Sequence, residues 1–119
     1  MAIIAPVITN PDPGGDCVLV TWTALANGDS GTPVSYPGFA DVSFQVTGTF
    51  GIAGNLRIEG SNDSANYAAL TDPQGNALDF IATKIEQVEE VVLRYRPRAT
   101  AGDGTTALTT TAFFRRTTR

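Results

Sequence analysis

Residues 42–50 alternate without a break. Val42, Phe44, Val46, Gly48 and Phe50 fall on one side, with Ser43, Gln45, Thr47 and Thr49 on the other. Successive side chains of a β-strand point to opposite faces, so this run predicts a strand with one buried face. Gly51 to Gly54 form a glycine-bounded turn, after which Leu56, Ile58 and Gly60 alternate against Asn55, Arg57 and Glu59. Two such runs joined by a short glycine-containing loop are the signature of a β-hairpin. That hairpin is read as the spine of the chain.

Further short strands follow from the same period. Cys17–Ala24 places Val18, Val20 and Trp22 on one face, and Trp22 is expected in the core. Short strands are expected at Tyr67–Thr71 and around Leu78 and Phe80, separated by the tight turn Asp72–Asn76. Val91–Arg96 is a strand that Pro97 ends or leaves at an edge. Ala107–Arg115 is the last, with Phe113 and Phe114 on opposite faces, so that one ring leaves the core. Ile85 and Val88 are three apart, which suggests a single helical turn within Thr83–Glu90.

Two stretches are less regular. Residues 1–16 hold Pro6, Pro11 and Pro13 and end in Gly14-Gly15-Asp16, and are expected as an extended N-terminal arm. Ile3, Ile4, Val7 and Ile8 are too apolar for a solvated tail and must pack on the domain's own edge or on a neighbouring subunit. Leu25–Ala40 reads as a long polar loop, with Tyr36 and Phe39 serving as anchors or as partner contacts. The expected organisation is therefore an arm (1–16) and one domain (17–119). Its class is all-β: an antiparallel β-sandwich, jelly-roll-like.

Composition narrows the chemistry. The chain has 119 residues, of which only 17% are charged, and no histidine. Ser–His–Asp and Cys–His arrangements are therefore impossible within one chain. No phosphate-binding glycine loop or paired-cysteine zinc site is present. No enzyme activity, cofactor or metal is expected. The Asn62-Asp63, Asn66 and Asp72 group fits turn capping better than a bound cation, since the ordered calcium-loop spacing is missing. Cys17, the only cysteine, reads as a small buried filler. The N-terminus lacks the basic residues of a signal peptide, and Pro6 interrupts its apolar run well short of a membrane span.

The net charge of −4 hides an asymmetry. Residues 1–93 carry eleven acids against Arg57 and Lys84, a balance of −9, whereas 94–119 carry six arginines against Asp103, a balance of +5. Arg94, Arg96, Arg98, Arg115 and Arg116 are the candidate cationic patch for an acidic partner. The acidic remainder and the absence of an aromatic-basic platform argue against nucleic acid.

Several pieces follow one another in a telling order: Val46-x-Gly48-Thr49-Phe50, Gly60-Ser61-Asn62-Asp63, Tyr67-x-x-Leu70, Asp72-Pro73-Gln74-Gly75-Asn76, and Arg94-Tyr95 followed by Arg98-Ala99 and Gly102-Asp103-Gly104. This run, over about residues 42–116, resembles small virion structural proteins of tailed bacteriophages, the group that includes capsid cement or decoration proteins. The resemblance implies a non-enzymatic jelly-roll protein, made in the bacterial host cytoplasm and placed on the outer capsid. It also implies a homo-oligomer, dimer or trimer, bridging neighbouring copies of the major capsid protein. Tyr67 stands where many such proteins carry tryptophan, and is expected to plug the core. The same Ser-Asn-Asp and aromatic turn, over about residues 56–71, also resembles discoidin-like, galactose-binding β-sandwich domains, a likeness that bears on the fold class more than on sugar binding. A receptor- or carbohydrate-binding module of a head or tail fibre is the alternative function. For that reading Tyr36, Phe39 and Tyr67 are the available stacking aromatics.

Overall fold

The structure is a computed structural model that describes residues 1–10 and 15–116. Pro11, Pro13 and Gly14 of the expected arm, and Arg119 of the basic end, lie outside the described residues. The strands in chain order are β1 (Ile3–Ile4), β2 (Val7–Thr9), β3 (Cys17–Leu25), β4 (Ser30–Gly31), β5 (Asp41–Thr49) and β6 (Asn55–Ser61). They continue with β7 (Ala68–Ala69), β8 (Asp79–Phe80), β9 (Lys84–Gln87), β10 (Arg94–Ala101) and β11 (Ala107–Arg115). All regular elements among the described residues are strands.

Two sheets face each other. One runs β1-β4-β10-β6-β7, with β8 also paired to β6, and the other runs β2-β3-β11-β5-β9. All pairings are antiparallel except β1 on β4. From β3 to β6 successive strands alternate between the sheets, and β9, β10 and β11 alternate again. This is jelly-roll order, with the last two long strands inserted at the sheet centres. Inward faces meet in one core, where Trp22 stacks near Phe44 at 6.4 Å between centroids and Tyr95 meets Phe114 edge-on at 5.5 Å. The Trp22 indole N–H donates to the Thr32 carbonyl at 3.1 Å. Gly31 lies flat against that indole, and a Cβ there would sit 2.5 Å from Trp22 Cδ1.

Four expectations are corrected. Residues 42–50 and 55–60 are strands, but they do not form a hairpin. β5 belongs to one sheet and β6 to the other, so residues 50–54 arch across the edge of the sandwich. Left-handed backbone at Gly48, Gly51 and Ala53 makes that crossing, and Gly54 touches the Phe50 carbonyl too closely to carry a side chain. Thr83–Glu90 is not a helical turn: Lys84–Gln87 pairs with β5, whose edge would otherwise be open. Leu25–Ala40 is not wholly a loop, since β4 and a Val34–Tyr95 bridge tie it to β10.

The fourth correction concerns Pro97, which lies inside a strand rather than ending one. Tyr95 and Ala99 donate to Val34 and Asp29 on the β4 side, so alternation turns the proline nitrogen the same way. There β4 pairs with β10 only at Arg98–Ser30, and no ladder donor is missed.

The N-terminal segment is built into the sandwich. β1 borders one sheet and β2 the other, with the half-buried Pro6 between them. Cys17 is half-buried at the start of β3 rather than enclosed. Of the two adjacent rings, Phe114 is in the core and Phe113 faces outward.

Candidate partner-binding surface

β10 builds the surface by simple alternation. Tyr95, Pro97 and Ala99 point into the core, which turns Arg94, Arg96 and Arg98 outward in one line. The antiparallel register with β6 sets Arg94 opposite Ser61, Arg96 opposite Glu59 and Arg98 opposite Arg57, and β8 adds Asp79 beside Arg57.

Glu59 is the hub. Only 4% of it is exposed, and both arginines reach it: Arg96 Nε and Nη2 each lie 2.9 Å from Oε1, and Arg98 Nη1 lies 3.4 Å from Oε2. A carboxylate removed from water needs such partners, because the cost of desolvating it unpaired is several kcal/mol. The far side of Arg96 is closed by Tyr67, whose ring centroid lies 3.9 Å from the guanidinium carbon. Arg57 Nε donates to Asp79 Oδ1 at 3.0 Å, and Arg94 donates to the Ser64 hydroxyl.

Four guanidinium groups meet two carboxylates on these strands, Arg57, Arg94, Arg96 and Arg98 against Glu59 and Asp79, leaving +2 on a chain of net −4. The side-chain bonds of Arg57, Arg94 and Arg98 each use one nitrogen. A guanidinium carries five N–H donors in a planar fork, so, among the described residues, three of the four have donors left over that suit a carboxylate. Arg96 is the positioned member, clamped between Glu59 and Tyr67.

The neighbouring turn is held by Asp63. It accepts the Asn66 backbone N–H at 2.8 Å and the Ala65 N–H at 2.9 Å, and those bonds, with side-chain bonds from Asn66 and Ser61, hold its carboxyl far below the usual range. This turn does not lock an aromatic into the core as expected. Tyr67 is half-buried beneath Arg96, and Leu70 fills the interior position.

The other residues singled out from sequence are dispersed. Ile3 pairs with Ser30, which pairs with Arg98, so Ile3 borders the arginine surface, whereas Ile4 packs against the core. Val7 and Ile8 lie on the opposite sheet. Tyr36 and Phe39 contact each other edge-on at 6.0 Å and pack on the core, Tyr36 lying 5.1 Å from Phe114. Burial raises the Tyr36 hydroxyl above its ordinary pKa. Arg116 covers the Phe39 ring at 4.9 Å, and Arg115 Nη2 lies 2.8 Å from Asp41 Oδ2 on the five-stranded sheet. The basic end is thus not one patch: Arg94, Arg96 and Arg98 are together, and Arg115 and Arg116 are elsewhere.

Arg57, Glu59 and Asp79 were missed. Arg57 and Glu59 show the same two-residue spacing as Arg94, Arg96 and Arg98. Continuing the strand through Pro97 would have revealed the ladder, but its facing partners require the register.

A scan against protein-family models gives no match, and neither does a search of curated protein sequences. Solved structures do match. The crystal structure of the SPBc2 prophage-derived protein YomS superposes with a TM-score of 0.61 at 14% identity, covering 91% of this chain and 96% of that one. Peruvianin-I, a cysteine peptidase from Thevetia peruviana latex, gives a TM-score of 0.48 at 13% identity over 93% of this chain and 61% of its own. Over nearly the whole of both chains, this protein therefore shares its fold with a prophage-derived protein.

Proposed function

We propose that this chain is a non-enzymatic virion structural protein of the capsid cement type, binding an acidic surface of the major capsid protein on the outside of the shell. The arginine ladder on β10 and β6 carries the reading. It is a row of guanidinium groups on the outward face of paired strands, net positive on an acidic chain. The likeness of fold to a prophage-derived protein supports the same setting. Many such contacts repeated by capsid symmetry give avidity without one strong site. No cofactor or nucleic acid enters this reading.

The test is binding to expanded capsids lacking the protein. The wild type is expected to saturate its sites, with occupancy falling as salt rises. Arg57→Gln combined with Arg98→Gln should sharply reduce occupancy while leaving thermal unfolding close to wild type, since neither change sets a new charge beside Glu59 or Asp79. Full occupancy by a folded double variant would sink the proposal.

A further inference from the structure

The two outward faces of the sandwich differ in chemistry. On the five-stranded sheet, the outward side chains of the strands include one acid and one base, Asp41 and Arg115, which bond each other at one end of the face. Lys84 and Glu86 of β9 turn the other way, opposite the inward-facing Val46 and Phe44. Everything else on that face is uncharged.

Two rows cross it. In register order they are Thr9, Leu19, Phe113, Ser43, Gln87 and Val7, Thr21, Thr111, Gln45, Ile85. In the second row the apolar residues stand at the two ends, with Val7 63% and Ile85 61% exposed. In the first, Leu19 lies on one side of β11. On the other side lies a recess of about 250 Å³ bounded by Val42, Ser43, Gln87 and the 36% exposed Phe113, with the Asp41–Arg115 pair closing one end.

We propose that a second copy of this chain packs on this face, related by a two-fold axis running along β11. That operation exchanges β3 with β5 and β2 with β9, and keeps each position along the strand. Val7 of one copy then faces Ile85 of the other, twice. Leu19 faces the recess beside Ser43, and the two Phe113 rings meet on the axis. Both Arg115 side chains come to one end of the axis, each already neutralised by its Asp41.

The choice of a second copy rests on charge and area. A face with no net charge offers nothing for a charged partner to read, and the one pair of like charges it brings together when it meets itself, the two Arg115 guanidinium groups, is offset by the Asp41 bonded to each. Three nine-residue strands with two short flanking ones cover roughly 550 Å² in projection at ordinary strand spacing. The side-chain relief brings the total for two copies to the low end of specific interfaces, about 1,200 Å². Sheets packed this way keep their strands within about 30° of one another, as a two-fold along β11 requires.

This proposal does not depend on capsid binding, and its test uses different residues. Sedimentation equilibrium of the full chain, from roughly micromolar to millimolar concentration, should show two-chain mass giving way to one-chain mass on dilution. Val7→Lys alone, or Ile85→Glu alone, should weaken association by roughly tenfold or more, because each buries an unpaired charge. The double variant should recover it, because the new charges face each other across the axis. Thermal unfolding in dilute solution checks that each variant folds. A wild type that stays one chain throughout, an association indifferent to the single changes, or a double variant no better than either single would each overturn the proposal.

Discussion

Asp29 holds the start of the chain in place. Its Oδ1 accepts the backbone N–H of Ala2 at 2.8 Å, while Oδ2 accepts that of Ala26 at 3.0 Å. Ser30 and Thr32 then donate to Ala2 and Ile4 carbonyls at 3.0 and 2.8 Å, completing the short parallel ladder between β1 and β4. The Ala2 and Ala26 bonds keep the Asp29 carboxyl below its ordinary pKa.

Because the first residues are a sheet edge, removing them should cost fold stability. Asp29→Ala removes two hydrogen bonds to a buried carboxylate, each worth about 1.5–3 kcal/mol to a charged acceptor. A net loss of roughly 3 kcal/mol is expected in urea unfolding. Deleting residues 1–9 should lower the unfolding midpoint at least as far. An unchanged midpoint in both would show that this edge contributes little.

Glu59 should matter more than its two arginines suggest on the surface. Glu59→Ala leaves Arg96 clamped against Tyr67 with no anion, and breaking a buried pair from one side costs about 3–5 kcal/mol. Arg98→Ala, at a half-exposed and longer contact, should cost under about 1 kcal/mol. Chemical denaturation of the two variants side by side checks the ordering.

Asp103 predicts an acid limb. Its carboxylate accepts the Ile52 backbone N–H at 2.8 Å and both the backbone N–H and the hydroxyl of Thr105, which lowers its pKa from 3.8 to about 2. A folded pKa below the unfolded one stabilises the ionised form. That contribution is complete above about pH 4 and disappears as pH falls towards 2. Since Asp103 joins the 50–54 arch to the 102–106 loop, acid should loosen that end first. Asp103→Asn should flatten the stability profile between pH 4 and 2, as followed by urea midpoints. An identical slope in the variant would contradict this.

Thr110 is enclosed at the centre of β11, between Val46 and Trp22, and its hydroxyl has no hydrogen-bond partner among the described residues. A buried, unpaired hydroxyl costs about 1–3 kcal/mol, and valine has nearly the same shape. Thr110→Val should therefore raise stability by about 1 kcal/mol, a shift of roughly 4 °C in Tm by calorimetry.

Much of the strand content was legible because burial on one side imposes a period of two. Cys17–Leu25, Asp41–Thr49 and Asn55–Ser61 match the alternating runs within a residue or two, and Ala107–Arg115 matches at both ends. Trp22 in the core and the opposed rings of Phe113 and Phe114 followed from the same period. The arginine ladder was half legible. Arg94, Arg96 and Arg98 share a face by spacing, but Arg115 and Arg116 looked like members of one patch because they are basic and near the same end of the sequence.

Alternation along one strand determines which of its side chains share a face. It says nothing about which strand lies alongside, because ladder hydrogen bonds join backbone atoms common to every residue. The runs at 42–50 and 55–60 therefore fit a hairpin as well as an arch, and only the sandwich, through the crossing at Gly51–Gly54, separated them. Lys84–Gln87 became a strand because β5 had an edge to be covered, and Glu59 became the hub because register brought Arg96 across from 37 residues away. By itself the sequence determined the strands and their faces; the tertiary structure decided their neighbours, since pairing is a contact between distant segments that no local period encodes.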